Sequence, residues 1–138
     1  EVHEYLGNRP IKTMIEAKSI IDEIRQQYKE NGIGRWAVID KKTNDFIGWA
    51  GLKYEQKLGD NFKYYDLGYR LKKKYWGKGI GTETALESLR FGFCTLNLQE
   101  ICAAAHIDNE ASNRILKKMG LHFIETMVFD GDLHNLQY

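Results

Sequence analysis

The sequence predicts an α+β fold built on a mixed, mostly antiparallel central sheet flanked by helices. Three observations carry that expectation. Capped runs with helical periodicity alternate with runs of period two. The first three strand-like runs follow one another with no helix between them, as an antiparallel meander requires. A glycine-rich turn, Trp76-Gly77-Lys78-Gly79-Ile80-Gly81-Thr82, then stands between a strand-like run and a helix-like one. The order along the chain is helix, three strands, helix, strand, helix, two strands.

Thr13-Met14-Ile15-Glu16 is a capping box, in which the Thr13 and Glu16 side chains satisfy each other's orphan backbone donors. Ala17, Ile20, Ile21, Ile24 and Tyr28 follow on one helical face, and Asn31-Gly32 is the stop. Residues 36–39 and 46–52 read as strands joined through Lys41-Lys42-Thr43-Asn44-Asp45, a hairpin with a polar turn. Over 62–71, Tyr65, Leu67, Tyr69 and Leu71 share one face while Tyr64, Asp66, Gly68 and Arg70 share the other. Gly68 inside that strand marks a bulge or a close approach.

After the glycine turn, Ala85, Leu86, Leu89, Phe93 and Leu96 predict an amphipathic helix, and residues 101–107 a short buried strand. Asn109 is placed to cap a third helix with Ala111, Ile115, Leu116 and Met119 as its inner face. Lys117 and Lys118 suit its negative end and Gly120 its termination. Residues 122–129 and 133–138 close the chain as two strands about the turn Asp130-Gly131-Asp132.

A length of 138 residues suits one domain with a proper core, spanning 1–138. With 43% hydrophobic and 28% charged residues the composition is that of a soluble globular chain. A net charge of +1 gives no field that would draw nucleic acid or an anionic membrane, and no apolar run approaches the length of a membrane helix. Cys94 and Cys102 fall in apolar surroundings and read as two reduced core thiols; no metal-ligand spacing is present. The start, Glu1-Val2-His3-Glu4, has no initiator Met and no signal peptide, so a cytoplasmic protein is expected. A homodimer is compatible with the sequence.

The glycine turn offers backbone N–H groups without Cβ atoms, and the helix after it adds the positive end of its dipole. That combination fits a phosphate or pyrophosphate. Two well-known loops fail on spacing. A P-loop needs Ser or Thr directly after Gly-Lys, where this chain has Gly79. The dinucleotide fingerprint needs G-x-G-x-x-G, where Gly77, Gly79 and Gly81 give G-x-G-x-G.

The run Trp76-Gly77-Lys78-Gly79-Ile80-Gly81 resembles instead the R/Q-x-x-G-x-G/A signature of the GNAT acetyltransferases, with Trp76 in place of Arg or Gln. Extended from Gly68-Tyr69-Arg70 to Thr82-Glu83, it looks like the variant of the Rim-type branch, whose members acetylate protein N-termini. A second block, Asn109-Glu110-Ala111-Ser112-Asn113 with Lys118-Met119-Gly120-Leu121, resembles that branch's N-x-x-S…K-x-G-F helix. The resemblance covers roughly residues 13–138.

The resemblance implies acetyl-CoA as co-substrate. Gly77, Lys78, Gly79, Ile80, Gly81 and Thr82 would hold its pyrophosphate beside Trp76. The strands at 62–71 and 101–107 would splay, and backbone groups of Tyr69, Arg70 and Leu71 would pair with the pantetheine in the gap. Asn109 would neighbour the pantetheine. Lys72, Lys73 and Lys74 either approach the nucleotide phosphates or form a solvated loop. In this family the acceptor amine attacks the thioester directly, so the enzyme must position it, and supply a proton to the leaving thiolate. Many members use a Tyr for that proton at the position of Leu116, which can donate nothing; Ser112 is the branch's substitute. The base candidates are Asp66, His106 and Glu125, with Asp66 on the strand beside the cleft. An α-amine (pKa about 7.7–8.0) is easier to neutralise than a lysine (about 10.4) by about 3.5 kcal/mol, which favours a protein N-terminal amine as acceptor. A polyamine or aminoglycoside acceptor, or a non-catalytic CoA-binding module, are the competing readings. Against the family pattern the domain lacks the first strand and part of the first helix, since residues 1–12 supply at most that helix's tail.

Overall fold

The computed structural model describes residues 11–58, 62–129 and 132–138. Most of the segment read as a helix tail, residues 1–10, and the turn residues Asp130 and Gly131 lie outside them. The capping box opens α1 (Met14–Asn31) as predicted: Thr13 Oγ1 accepts from the Glu16 N–H at 3.1 Å, and Glu16 Oε2 accepts from the Thr13 N–H at 3.2 Å. Gly32, at φ +69°, ends the helix. The apolar face of α1 departs from expectation. Ile20, Ile21 and Tyr28 are exposed and no residue of the helix is buried. The helix is fastened through polar groups instead: the Gln27 amide bonds both the N–H and the C=O of Tyr54, at 3.2 and 3.1 Å.

β1 (Trp36–Ile39), β2 (Phe46–Leu58) and β3 (Phe62–Leu71) form the antiparallel meander, in the order β1-β2-β3. β2 runs beyond the predicted end at 52 because Tyr54 and Glu55 go on to pair with Tyr65 and Tyr64. The second sheet has the order β4-β6-β5, from β4 (Ala103–His106), β5 (Phe123–Phe129) and β6 (Asp132–Gln137), all antiparallel.

Helices α2 (Ile80–Arg90) and α3 (Glu110–Lys118) cover one side of the two sheets. Leu52, Leu67, Ala85, Leu89, Ile101, Ala103, Ala105 and Leu116 are buried together there. α2 passes into a π-turn over Phe91–Thr95. The buried stripe runs through Ala85, Ser88, Leu89 and Gly92, so Leu86 and Phe93, expected inside, fall at its flank and are exposed. Cys94 lies on the side away from that stripe and is exposed, and only Cys102 is a core thiol. In α3, Ala111 is exposed and Ser112 and Asn113 turn partly inward.

The two sheets touch through one parallel bridge, Asp66 to Cys102. There the Leu67 N–H donates to the Cys102 carbonyl at 2.8 Å and the Cys102 N–H to the Tyr65 carbonyl at 2.9 Å. Beyond it β3 and β4 part, and β4 turns to β6 for its hydrogen bonds. The splay expected between 62–71 and 101–107 is therefore present. Among the described residues no helix is long and apolar enough to cross a membrane.

Candidate active site

Alternation along β3 decides what the splay exposes. Tyr65 and Leu67 turn their backbone groups toward Cys102, so Tyr69 and Leu71, in the same phase, turn theirs into the gap. The Leu71 carbonyl accepts the Trp76 indole N–H at 2.8 Å, which folds the glycine turn back onto the strand end. Arg70, between them, points its backbone toward β2, opposite Trp49.

The glycine turn is conformationally committed. Gly77 and Gly79 sit at φ +71° and +78°, a region that other residues adopt only under strain. Gly79 is the N-cap of α2, and no side chain caps the helix. The first N–H groups of α2 thus lack a side-chain acceptor, and an added Cβ at Gly77 or Gly79 would meet nothing within 4 Å. The turn is an open cradle of donors at the positive end of a helix. Gly81 has a different use: a Cβ there would lie 3.3 Å from Ile115 and 3.7 Å from the Tyr69 ring. Its absence lets α2 settle onto β3 and α3 at the mouth of the splay.

α3 reaches the same place from the other side. Asn109 caps it, accepting the Ser112 N–H at 3.1 Å. Among the described residues the Ser112 hydroxyl makes no bond to backbone, so the cap and the hydroxyl are separate functions on separate residues. Beside it lies the Tyr69 hydroxyl, which is buried and makes no hydrogen bond of regular geometry. Burial pushes the Tyr69 pKa up, with the Ser112 hydroxyl opposing, so the phenol stays protonated. Sequence reasoning put only the backbone of Tyr69 at the site; its position opposite Ser112 needs the packing of α3. Leu116 faces the core and is 3% exposed.

Asn113, the last residue of the Asn109–Asn113 block, is a tie between elements. Its amide nitrogen donates to the carbonyls of His106 and Asn109, both at 2.9 Å, and its oxygen accepts from Gln137 at 2.8 Å.

The base candidates are dispersed. Asp66 sends its carboxylate to the Arg35 guanidinium, which also bonds the carbonyls of Asp66 and Gly51. Both side chains are largely buried, 8% and 13% exposed. Burial raises the Asp66 pKa and Arg35 opposes the rise. Arg35 was not singled out from sequence; the signal lies in Gly51 and Gly68, which face each other across β2 and β3. A Cβ at Gly68 would come 2.6 Å from the Arg35 guanidinium, so the expected close approach is that of a side chain. His106 Nδ1 accepts the Asp108 N–H at 3.2 Å, and its ring meets His134 edge-on at 5.4 Å. Glu125 is exposed on β5. Among the described residues no group of His, Cys, Asp and Glu could hold a metal ion.

Residues 1–122 match the family model of the acetyltransferase (GNAT) domain. The chain belongs to this family. As a GNAT domain it is 32% identical over 120 residues to YoaA of Bacillus subtilis, named an uncharacterized N-acetyltransferase, covering 87% of this chain and 66% of YoaA. It spans 56 to 66% of the length of three such curated relatives. A GNAT-family acetyltransferase structure from Bordetella pertussis superposes with a TM-score of 0.87 at 19% identity, over 99% of this chain and 82% of that one. Spermidine N-acetyltransferase of Vibrio cholerae, in complex with CoA and spermine, gives 0.74 at 16% identity, over 99% and 79%. Ribosomal-protein-S5-alanine acetyltransferase of Vibrio fischeri gives 0.71 at 24% identity, over 94% and 75%. At these identities the superpositions establish the fold.

Proposed function

We propose that this GNAT domain transfers an acetyl group from acetyl-CoA to a primary amine, and that the acceptor is a protein N-terminal amine, as in the Rim-type branch. The observation that carries the reading is the open, uncapped glycine turn at the start of α2, set at the mouth of the splay beside Ser112. Its residues fit the co-substrate: amide donors of Gly77 to Thr82 for a pyrophosphate, and the gap-facing backbone of Tyr69 for the pantetheine. Acetyl-CoA, when bound, supplies an activated acetyl thioester.

The chain's own residues would do the rest. Ser112, in the first turn of α3, donates its proton toward the departing sulfur, where the helix dipole also favours negative charge. The Tyr69 phenol, kept protonated by burial, supports that hydroxyl. Asp66 is given a positioning role: its carboxylate is committed to Arg35 at the apex of the splay. An α-amine, with roughly a tenth neutral at pH 7, reduces the demand for a strong base.

Calorimetry with acetyl-CoA on the wild type and on Gly79→Glu tests the turn. Tight binding by the wild type and none by the variant is expected; equal binding by both would remove the glycine turn from the site. A panel of N-terminal peptides, lysine peptides and spermidine tests the acceptor, with the N-terminal amines expected to be acetylated fastest.

A further inference from the structure

Resting on that reading, we infer that Arg70 is a recognition residue for the acceptor, and that the acceptor carries a carboxylate close to its reactive amine. Three observations meet at Arg70. Its Nε is buried and makes no hydrogen bond, and its guanidinium forms no ion pair among the described residues. Among the described residues of its face of the meander, Arg35 is matched with Asp66 and Lys53 with Glu55. Arg70 is thus the cation left over among the described residues of that face, partly withdrawn from water, and burial lowers its pKa. A half-buried cation without a counter-charge is costly, and such groups gather at binding sites.

The guanidinium is also held in place. It lies 5.3 Å from the centre of the Trp49 ring, which Arg35 meets as well at 5.4 Å. A guanidinium steadied by an aromatic ring presents a planar fork, the geometry that binds a carboxylate through two hydrogen bonds.

Alternation along β3 says which ligand it serves. Tyr69 and Leu71 face α2 and the glycine turn, as their contacts with Gly81 show. Arg70 faces the opposite side with Asp66 and Gly68, away from the phosphate cradle. Yet it is the direct neighbour of Tyr69, with Cα atoms about 3.8 Å apart. An anion bound there lies on the face of β3 opposite the cradle, at the strand position next to the one whose backbone lines the gap. The same charge disfavours a polyamine, which would bring cations against an unmatched cation.

The test compares four acceptors: an Ala-Glu-led peptide, its Ala-Gln-led counterpart, free alanine and spermidine. Each is assayed with wild type, Arg70→Met and Arg70→Lys, with acetyl-CoA affinity measured by calorimetry. Wild type is expected to favour a carboxylate-bearing acceptor over the Ala-Gln peptide by roughly 10- to 100-fold in kcat/KM. Arg70→Met should erase that preference with acetyl-CoA affinity unchanged, and Arg70→Lys should retain part of it. Preference for the Ala-Glu peptide assigns the carboxylate to an acidic side chain; preference for free alanine assigns it to an α-carboxylate. Spermidine as the best acceptor, an unchanged preference in Arg70→Met, or a matching loss of acetyl-CoA affinity would each overturn the inference while leaving acetyl transfer intact. Should Arg70→Met not fold, the Arg70→Lys profile decides the matter alone. A wild type that binds acetyl-CoA but acetylates no amine would instead sink the functional reading, and this inference with it.

Discussion

The Arg35 guanidinium grips the carboxylate of Asp66, the residue whose backbone bridges to Cys102 where the two sheets touch. The pair therefore sits at the apex of the splay. Removing one partner leaves a buried charge unmatched, so Arg35→Leu should lose about 3–5 kcal/mol in denaturant unfolding. The double variant Arg35→Leu/Asp66→Leu should recover much of that loss, because apolar groups replace both charges.

The same pair sets a pH dependence. Burial raises the folded pKa of Asp66 above its unfolded value near ~3.9, so its contribution to stability is full below about pH 3.9. That contribution is lost as pH rises through the folded value. Wild-type stability measured against Asp66→Asn should accordingly fall on going from acid toward neutral pH. A difference that does not change with pH would show that the carboxylate does not titrate in that window.

Ser112 and Tyr69 are expected to act as a unit. Ser112→Ala should lower turnover about 100-fold with acetyl-CoA affinity unchanged. Tyr69→Phe keeps the ring against Gly81 and Ile115 and removes a buried hydroxyl that makes no hydrogen bond of regular geometry, so stability should hold or rise. Its turnover should fall by roughly tenfold or less, and the loss should vanish in the Ser112→Ala background. Additive losses in the double variant would separate the two residues.

The cysteines should differ in alkylation. Cys94 is exposed, whereas Cys102 is buried and its thiol is pushed up to about 11 by burial. Iodoacetamide at about pH 8 should therefore label the folded protein at Cys94 alone, with Cys102 following only on unfolding. Peptide mass spectrometry reads the sites directly.

Gly48 faces Leu71, where β3 ends and the glycine turn begins. A Cβ there would fall 2.1 Å from the Arg70 carbonyl, a backbone atom that cannot step aside. Gly48→Ala should destabilise by about 1–3 kcal/mol and weaken acetyl-CoA binding, because β3 must shift at its cleft end. Unaltered melting and affinity would show that the strand accommodates the methyl group.

Local chemistry made much of this molecule legible in its sequence. The Thr13–Glu16 capping box, the Gly32 stop, the two faces of β3 and the Asn109 cap each depend on residues a few positions apart, and each is present in the structure. Gly77 and Gly79 likewise announced a turn that only glycine makes without strain, because the constraint is on φ within one residue. What tertiary structure alone decided depends on partners far apart in the chain. Packing set the buried stripe of the second helix through Ala85, Ser88, Leu89 and Gly92, which left Leu86, Phe93 and Cys94 outside it. Arg35 reached Asp66 through the space left by Gly68, and so took from Asp66 the freedom that sequence had granted it. Tyr69 met Ser112 only once α3 was in place, and Arg70 was left without a counter-charge among the described residues once the meander had paired Arg35 with Asp66 and Lys53 with Glu55. Periodicity reports which side of an element is apolar; the identity of the group opposite each side chain is set by packing between elements, and the chemistry of this site is written there.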